Sequence, residues 1–336
     1  MRAGRVLAVA LAASAWPLAA GAQSLESKDW QLVCDNVRSC RAAGYSVAGS
    51  EAPVSVLLSR AAGPGMPVYA ELQLGTLDPR SVRPGSVVMT IAGKPAGTIR
   101  LDRDNHAQLA GPVAAALLRA VTSGNGVTFT AGKGAWRLSA DGAAEVLDKF
   151  DEVQGRIGRP SALVRKGTSN DADTASPMAV PRFEAGNIGA AHLAGDDALA
   201  VRVMASVHSD PDCPLLDDGQ AQGRARIWHL DVNRLLVSQA CRPASEGGAL
   251  GYWLANVRPP YDARPMTYSG AEFDGSTVVA HTVSAPSGDC GTKETWTWNG
   301  YRFDPSYAGT GGLCRGVKAG GAWDLPTVVS DIVPGR

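Results

Sequence analysis

The sequence predicts a mainly β protein of the α+β class, with two β-rich domains of antiparallel strands. Three observations favour this class. Short, partly alternating runs of β-branched residues recur along the chain, glycine occupies 39 of 336 positions, and few segments have a strong helical pattern. Six cysteines further predict three disulfides that staple the two domains internally.

Residues 1–22 have the pattern of a bacterial secretory signal peptide. Two arginines precede an apolar run over residues 6–18, and Ala20-Gly21-Ala22 fits a small-x-small cleavage site. The run is too short to span a bilayer, and no later segment approaches the length of a spanning helix. We therefore expect cleavage after Ala22, a periplasmic location, and no membrane insertion of the mature chain.

The charge balance argues against two classes of partner. Without residues 1–22 the chain has 30 basic and 32 acidic residues, a formal net charge of −2. Nucleic-acid binders usually have a basic surface, and proteins that bind anionic membranes have Lys/Arg blocks. The sequence has neither pattern, so we expect no nucleic-acid partner.

The first predicted domain covers residues 23–166 and is a meander of strands with two packing helices. One helix is predicted at GPVAAALLRAV with Pro112 in its first turn, where proline is tolerated. The second follows Ser139 or Asp141, either of which is a suitable cap, and it ends at Gly155. The strand segments are WQLVC, YSVAG, VSVLLSR, PVYAELQLG, SVVMTIAG, KPAGTIRLD, VTFTA and AWRLSA.

Cys34 and Cys40 share this domain with no other cysteine, which favours a bond between them. A zinc site is a poorer interpretation, because zinc sites use CxxC-type spacing and four ligands. A redox pair is also poorer, because catalytic dithiols usually have CxxC spacing at a helix start. We expect a structural staple across a tight turn between two strands.

Residues 167–181, small, polar and interrupted by proline, are the predicted linker to a second domain at 182–336. A strand is predicted in ALAVRVMASVHSD. Hairpins are predicted around Asp231–Asn233 and around Asn299-Gly300. The second prediction is the stronger, because Asn-Gly between alternating aromatic residues is a strong hairpin signature. Six cysteines allow fifteen pairings, and chain order favours bonds within three successive pairs: 34–40, 213–241 and 290–314.

The search for catalytic residues gives only weak candidates. The sequence has no GxSxG, HExxH, Walker A or dinucleotide-binding motif. The candidates for a His/Asp pair are His208 or His281 with Asp210 or Asp289; His192 and His229 have no better claim.

The stretch HSDPDCPLLDD contains His208, Asp210, Asp212, Asp217 and Asp218, which offer hard oxygen ligands for calcium. A solvated turn is the favoured interpretation, because the loop lacks the glycine and closing glutamate of an EF-hand. We predict no metal site and no cofactor.

Aromatic residues are concentrated in the second domain and form the candidate binding set: Trp228, Trp253, Trp296, Trp298 and Tyr301. Trp296 and Trp298 are two residues apart, so they share one face of a strand. The set is interpreted either as core packing or as an exposed platform for a glycan or partner protein.

Several segments together resemble a known family. They are DWQLVCDNVRSCRAAGY, FDEVQGRIG with SALVRKG, SGDCG, and WTWNGYRF followed by Cys314. With them the chain resembles the six-cysteine family of exported bacterial proteins called domain-of-unknown-function family eleven seventy-six. The first domain is also loosely similar to invasion-associated locus B proteins. Within FDEVQGRIG, we interpret Gln154 as structural and place Arg156 at the carbonyl end of the helix.

The resemblance implies compartment and architecture but no activity. We expect a non-enzymatic binding or accessory protein of the cell envelope, with an envelope protein or glycan as partner. The alternatives are an envelope hydrolase that uses a His/Asp pair and a purely structural envelope protein.

Overall fold

The computed structural model describes residues 22–76, 83–186, 188, 195–217, 225–243, 248–283 and 287–335. Within these residues the chain is mainly antiparallel β-structure, which confirms the predicted fold class. The predicted signal peptide lies outside the described residues, apart from Ala22. None of the helices formed by the described residues has the length and apolar character needed to cross a bilayer.

The first half of the chain contains two sheets that share one core. Six strands pair in the order β1-β2-β3-β4-β5-β8, and four pair in the order β10-β9-β6-β7. Trp30, Leu72, Met89 and Phe129 from the two sheets lie in the same buried cluster. The strands are β1 (Gln23–Ser27), β2 (Trp30–Cys34), β3 (Cys40–Tyr45), β4 (Val54–Arg60), β5 (Tyr69–Leu74), β6 (Ser86–Ile91), β7 (Lys94–Arg100), β8 (His106–Gln108), β9 (Val127–Ala131) and β10 (Gly134–Leu138).

Both predicted helices are present, as α1 (Gly111–Thr122) and α2 (Ala143–Val153). Helix α1 has Pro112 in its first turn, as predicted. The predicted cap of α2 is wrong, because neither Ser139 nor Asp141 caps it. The helix begins after Gly142, whose φ of 89° is in the left-handed region. A Cβ on this glycine would collide with the backbone carbonyl of Ser27, so the turn requires glycine.

The second half contains one helix and ten strands within the described residues. They are β11 (Arg182–Ala185), α3 (Asp196–Met204), β12 (Arg226–His229), β13 (Arg234–Arg242), β14 (Ala249–Asn256), β15 (Arg264–Phe273), β16 (Thr277–Val283), β17 (Gly291–Trp298), β18 (Phe303–Thr310), β19 (Leu325–Val328) and β20 (Asp331–Pro334). Strands β12 to β19 form one eight-stranded meander, and β11 pairs in parallel with β20. Both predicted hairpins, β12–β13 and β17–β18, are confirmed.

The strand predicted in residues 198–210 is wrong, because its first part forms helix α3. Ala200, Val203 and Met204 are buried against the sheet, whereas Val201 is 54% exposed. This spacing of three to four residues buries one side of a helix. The valines favoured a strand, but their burial follows the helical period.

The eight-stranded sheet is strongly curled around aromatic side chains. Neighbouring strands are about 4.8 Å apart, so rings on strands three apart in a flat sheet would be about 14 Å apart. Trp228 of β12 and Phe273 of β15 instead have ring centroids 5.1 Å apart. Phe273 and Phe303 of β18 have centroids 6.3 Å apart. The concave face is therefore filled by its own aromatic residues, while α3 covers part of the outer face.

All three predicted disulfides are present: Cys34–Cys40, Cys213–Cys241 and Cys290–Cys314. Cys34 and Cys40 are also cross-strand partners of β2 and β3, so the bond closes the tight turn as predicted. Three disulfides are typical of proteins that fold in an oxidising compartment outside the cytoplasm.

The two halves share a small core. Tyr45 and Leu57 of the first half are buried together with Val317 and Leu325 of the second. The Trp323 indole N–H also donates to Ser55 Oγ at 2.7 Å. Residues 167–181 lie against the first half, where the Met178 backbone N–H donates to the carbonyl of Val37. The domain boundaries at 166 and 182 stay a prediction.

Candidate binding groove

The five aromatic residues predicted as a binding set differ widely in exposure. Trp253 and Trp298 are buried, at 0% and 1% exposure, whereas Tyr301 is 74% exposed. Trp228 and Trp296 are half-buried. Within this set, Trp228, Trp296 and Tyr301 are therefore the residues that are exposed enough to contact a partner.

The buried members are held by contacts within the sheet. Trp298 packs against Phe303, with centroids 5.3 Å apart, and the Arg234 guanidinium lies 5.0 Å from both the Trp298 and Tyr301 rings. Arg234 is itself paired with Asp231 at 2.7 Å. Trp253 lies on the other face of the sheet, in the cluster that α3 covers. Most of the set stabilises the curled sheet.

His208 and Asp210, the catalytic candidates in the stretch HSDPDCPLLDD, do not form a hydrogen-bonded pair. His208 is exposed and has no hydrogen bond or ion pair with any carboxylate among the described residues. Asp210 accepts a hydrogen bond from the Tyr268 hydroxyl at 3.1 Å and one from the Asp212 backbone N–H at 2.9 Å. Asp217 lies in a 3₁₀ turn, and Asp218 lies outside the described residues.

The second candidate pair, His281 and Asp289, is also separate. Asp289 is buried beside the Cys290–Cys314 disulfide and accepts hydrogen bonds from the Ser287 hydroxyl and the Gly316 backbone N–H. Burial alone raises the pKa of this carboxyl, but these hydrogen bonds outweigh it and hold the pKa below its usual range. Asp289 therefore anchors the loop that follows β18.

Asp289 also lies within 4.8 Å of the sulfur atoms of Cys290 and Cys314. Both sulfurs are committed to the disulfide, so they are not thiolate ligands for a metal.

Other histidines do contact carboxylates, at positions that the sequence did not single out for catalysis. His229 Nε2 lies 3.0 Å from Asp196 Oδ1, which joins β12 to the first turn of α3. His106 Nε2 lies 3.0 Å from Glu71 Oε2, beside the Trp323 ring. Each contact connects neighbouring elements of the fold. His192 lies outside the described residues.

An open groove lies on the outer face of the eight-stranded sheet. Two cavities of about 390 and 240 Å³ adjoin there, and both are lined by residues 281–283 at the end of β16. The first is bordered by the loop at Asp212, and the second by Trp323 and Asp324. Of the catalytic candidates among the described residues, His281 therefore lines both cavities.

The floor of the groove is built by strand register. His281 of β16 is directly opposite Lys293 of β17, which is opposite Gly309 of β18. Side chains at such positions are neighbours on one face of a sheet. The first cavity is also lined by Arg242, at the end of β13. His281 lines both cavities, whereas Arg242 lines the first and Lys293 lines the second.

Two tyrosines on the groove are neutral hydrogen-bonding groups at physiological pH. Burial, followed by the hydrogen bond to Asp210, raises the pKa of Tyr268 to about 12. Burial and the hydrogen bond to Asp324 raise the pKa of Tyr307 above its usual range. The Lys293 ammonium lies 5.7 Å from the centroid of the Tyr307 ring. The groove thus combines aromatic rings, hydroxyls and charges of both signs.

A family model described as "Protein of unknown function (DUF1176)" matches residues 25–330. The chain belongs to this family. No curated protein and no solved structure matches it significantly. The DUF1176 match includes the first disulfide, the shared core and the whole groove, so the family relationship applies to both halves of the fold.

The DUF1176 segment FDEVQGRIG forms a buried polar network in the first half. Arg60 donates to Asp151 Oδ1 at 2.7 Å and to Gln154 Oε1 at 2.6 Å. Gln154 in turn donates to the carbonyls of Arg38 and Arg60, which confirms its structural role. Arg156 differs from the expectation, because its side chain donates to Ser161 and the Gly63 carbonyl and not to the helix end.

The groove residues of this DUF1176 chain that the sequence did not single out include Arg242, Tyr268, Lys293 and Tyr307. One signal was available in GTKETWTW. Lys293 is an odd number of residues from Trp296 and Trp298, so alternation along a strand predicts that it lies on the opposite face. The residues of β13, β15 and β18 that line the groove with Lys293 are brought there by strand register, which the sequence does not specify.

Proposed function

We propose that this protein is an exported, non-enzymatic binding protein of the bacterial cell envelope, and that its ligand occupies the groove around His281–Val283. The observation that carries the proposal is the groove itself. It is an open cleft on the sheet, lined by aromatic residues and by charged groups of both signs. Binding sites commonly combine a preformed concave surface with a few convergent polar groups.

The proposed location is the periplasm. The N-terminal pattern supports export with cleavage after Ala22, and the three disulfides support an oxidising compartment. N-terminal sequencing of the protein recovered from a periplasmic extract tests this part, and a first residue other than Gln23 would contradict the proposed cleavage site.

Co-sedimentation tests the binding function. The mature protein is mixed with the insoluble envelope fraction of its own bacterium, and the bound share is measured after centrifugation. We expect the wild type to sediment, and we expect Lys293→Gln combined with His281→Gln to abolish most of the binding. The changed side chains are exposed, so the fold should tolerate both substitutions.

The matched control is Lys133→Gln, which changes an exposed lysine in the turn between β9 and β10 of the first half. It should sediment like the wild type. Equal sedimentation of the groove variant and the wild type would refute the groove as the binding site. Absence of sedimentation for all forms would refute an envelope-binding function.

A further inference from the structure

We infer that the ligand of the groove is an acidic oligosaccharide, with carboxylate or phosphate groups on its sugars. This inference rests on the proposed binding function and names the chemical class of the ligand. Three features of the groove carry it: two cationic side chains that have no acidic partner among the described residues, half-exposed aromatic rings, and acceptors at both ends.

The floor of the groove has only a short stretch of unpaired strand edge. Strand β17 is paired with β16 on one side and β18 on the other along the floor, whereas β16 pairs with β15 only as far as Ala280, so residues 281–283 have ladder partners on β17 alone. An extended peptide is usually bound by addition to a free strand edge, where its backbone completes the ladder. The unpaired edge of β16 in the groove is only three residues long, so the ligand must be recognised mainly through hydroxyls, rings and charges of the side chains.

Two cationic residues in the groove have no acidic partner within the part of the chain that the structure describes. Arg242 and Lys293 are both exposed, and neither forms an ion pair with any group in the described chain. Lys293 has only the cation–π contact with Tyr307. Hydrogen bonds from such cations to a carboxylate or phosphate are stronger than neutral ones. These residues lie in adjoining cavities, one on either side of His281, so they suit anionic groups repeated along a chain.

Aromatic rings and acceptors complete the fit to sugars. Tyr268, Tyr307 and Trp323 are half-buried, so each is fixed by packing and keeps part of its ring accessible. The ring bodies of Tyr and Trp offer apolar surface next to polar groups, which matches the mixed surface of a sugar. The carboxylates of Asp212 and Asp324 border opposite ends of the groove and can accept hydrogen bonds from sugar hydroxyls.

An array of ligands of matched length tests the inference. It carries uronate-bearing, phosphate-bearing and neutral oligosaccharides together with glutamate-rich peptides, and it is probed with the mature, disulfide-bonded protein. We expect binding to acidic oligosaccharides and weak binding to the rest. The uronate and phosphate arms identify which anionic group is preferred.

Two pairs of variants locate the contact. Arg242→Gln and Lys293→Gln should each weaken the best acidic oligosaccharide by about tenfold in Kd. Arg137→Gln on β10 and Lys133→Gln in the β9–β10 turn should leave Kd unchanged. Wild-type affinity should also fall as salt rises, because the contacts are exposed and ionic.

Each contrary outcome has a definite meaning. Equal binding of neutral oligosaccharides would overturn the acidic requirement, and equal binding of glutamate-rich peptides would overturn the saccharide class. If no arm of the array binds while the groove variant still loses envelope co-sedimentation, the ligand class is wrong and the binding function stands. If that groove variant sediments normally, the proposed function itself fails.

Discussion

Arg60 and Asp151 form a buried ion pair, with 2.7 Å between Nη2 and Oδ1 and side-chain exposures of 1% and 0%. Asp151 also accepts hydrogen bonds from the backbone N–H groups of Leu163 and Val164. Arg60 lies over the Phe150 ring as well, 4.9 Å from its centroid. The pair therefore connects β4, α2 and the segment after the helix at the centre of the first half.

Asp151→Ala should destabilise the protein by about 3–5 kcal/mol, because it leaves the Arg60 guanidinium buried without its counter-charge. Urea unfolding measures the change. The matched control is Asp148→Ala on the same helix, which removes an exposed pair with Arg165 and should change the midpoint little. Similar midpoints for the two variants would contradict a structural role for the buried network.

Asp289 should make the stability depend on pH in the acidic range. Its folded-state pKa is lowered, so its contribution is present above the unfolded-state pKa of about 3.9 and is lost as pH falls through the folded value. Asp289→Asn should therefore be less stable than the wild type at pH 7, and the difference should shrink below pH of about 4. A difference that stays constant between pH 7 and pH 3 in thermal unfolding would contradict this.

Alanine substitutions at Trp298 and Tyr301 should differ in their effect on stability, because Trp298 is buried and Tyr301 is exposed. Trp298→Ala removes a buried indole and should cost about 3–5 kcal/mol in unfolding free energy. Tyr301→Ala changes a side chain that is 74% exposed and should have little effect on stability. The two variants are compared by chemical denaturation. A mild effect of Trp298→Ala would mean that the curled sheet does not depend on its aromatic interior.

The Cys34–Cys40 disulfide should stabilise modestly. It closes a loop with a sequence separation of 6, so the entropic contribution is about 2–3 kcal/mol. Cys34→Ala combined with Cys40→Ala tests this value in urea unfolding, with mass mapping to verify that Cys213–Cys241 and Cys290–Cys314 remain. No loss of stability would show that the β2–β3 turn forms equally well without the bond.

Local signals made much of the fold predictable. Asn299-Gly300 between aromatic strands predicted the β17–β18 hairpin, and the order of the six cysteines predicted their pairing. Helix α3 was missed because Val201 and Val203 favour a strand, and their opposite exposure is decided only by packing on the sheet. Local propensity was overridden there by tertiary contact.

The groove was less predictable for a geometric reason. His281 stood out in the sequence, but Lys293 became its neighbour only through the β16–β17 register. Register shifts lie between Thr295 and Trp296 and between Gly270 and Glu272, so alternation along the sequence does not reveal which residues meet across the sheet. The aromatic set was predictable as a cluster, whereas its burial followed from the curl of the sheet.

Lysine labelling tests the central claim, that the groove is the binding face, most directly. The mature protein is acetylated with and without its envelope fraction, and mass spectrometry measures the modified share of Lys293, Lys94 and Lys133, all exposed in the free protein. We predict that envelope material protects Lys293 and leaves Lys94 and Lys133 unchanged. Undiminished labelling of Lys293 under conditions where the protein is bound would contradict the account.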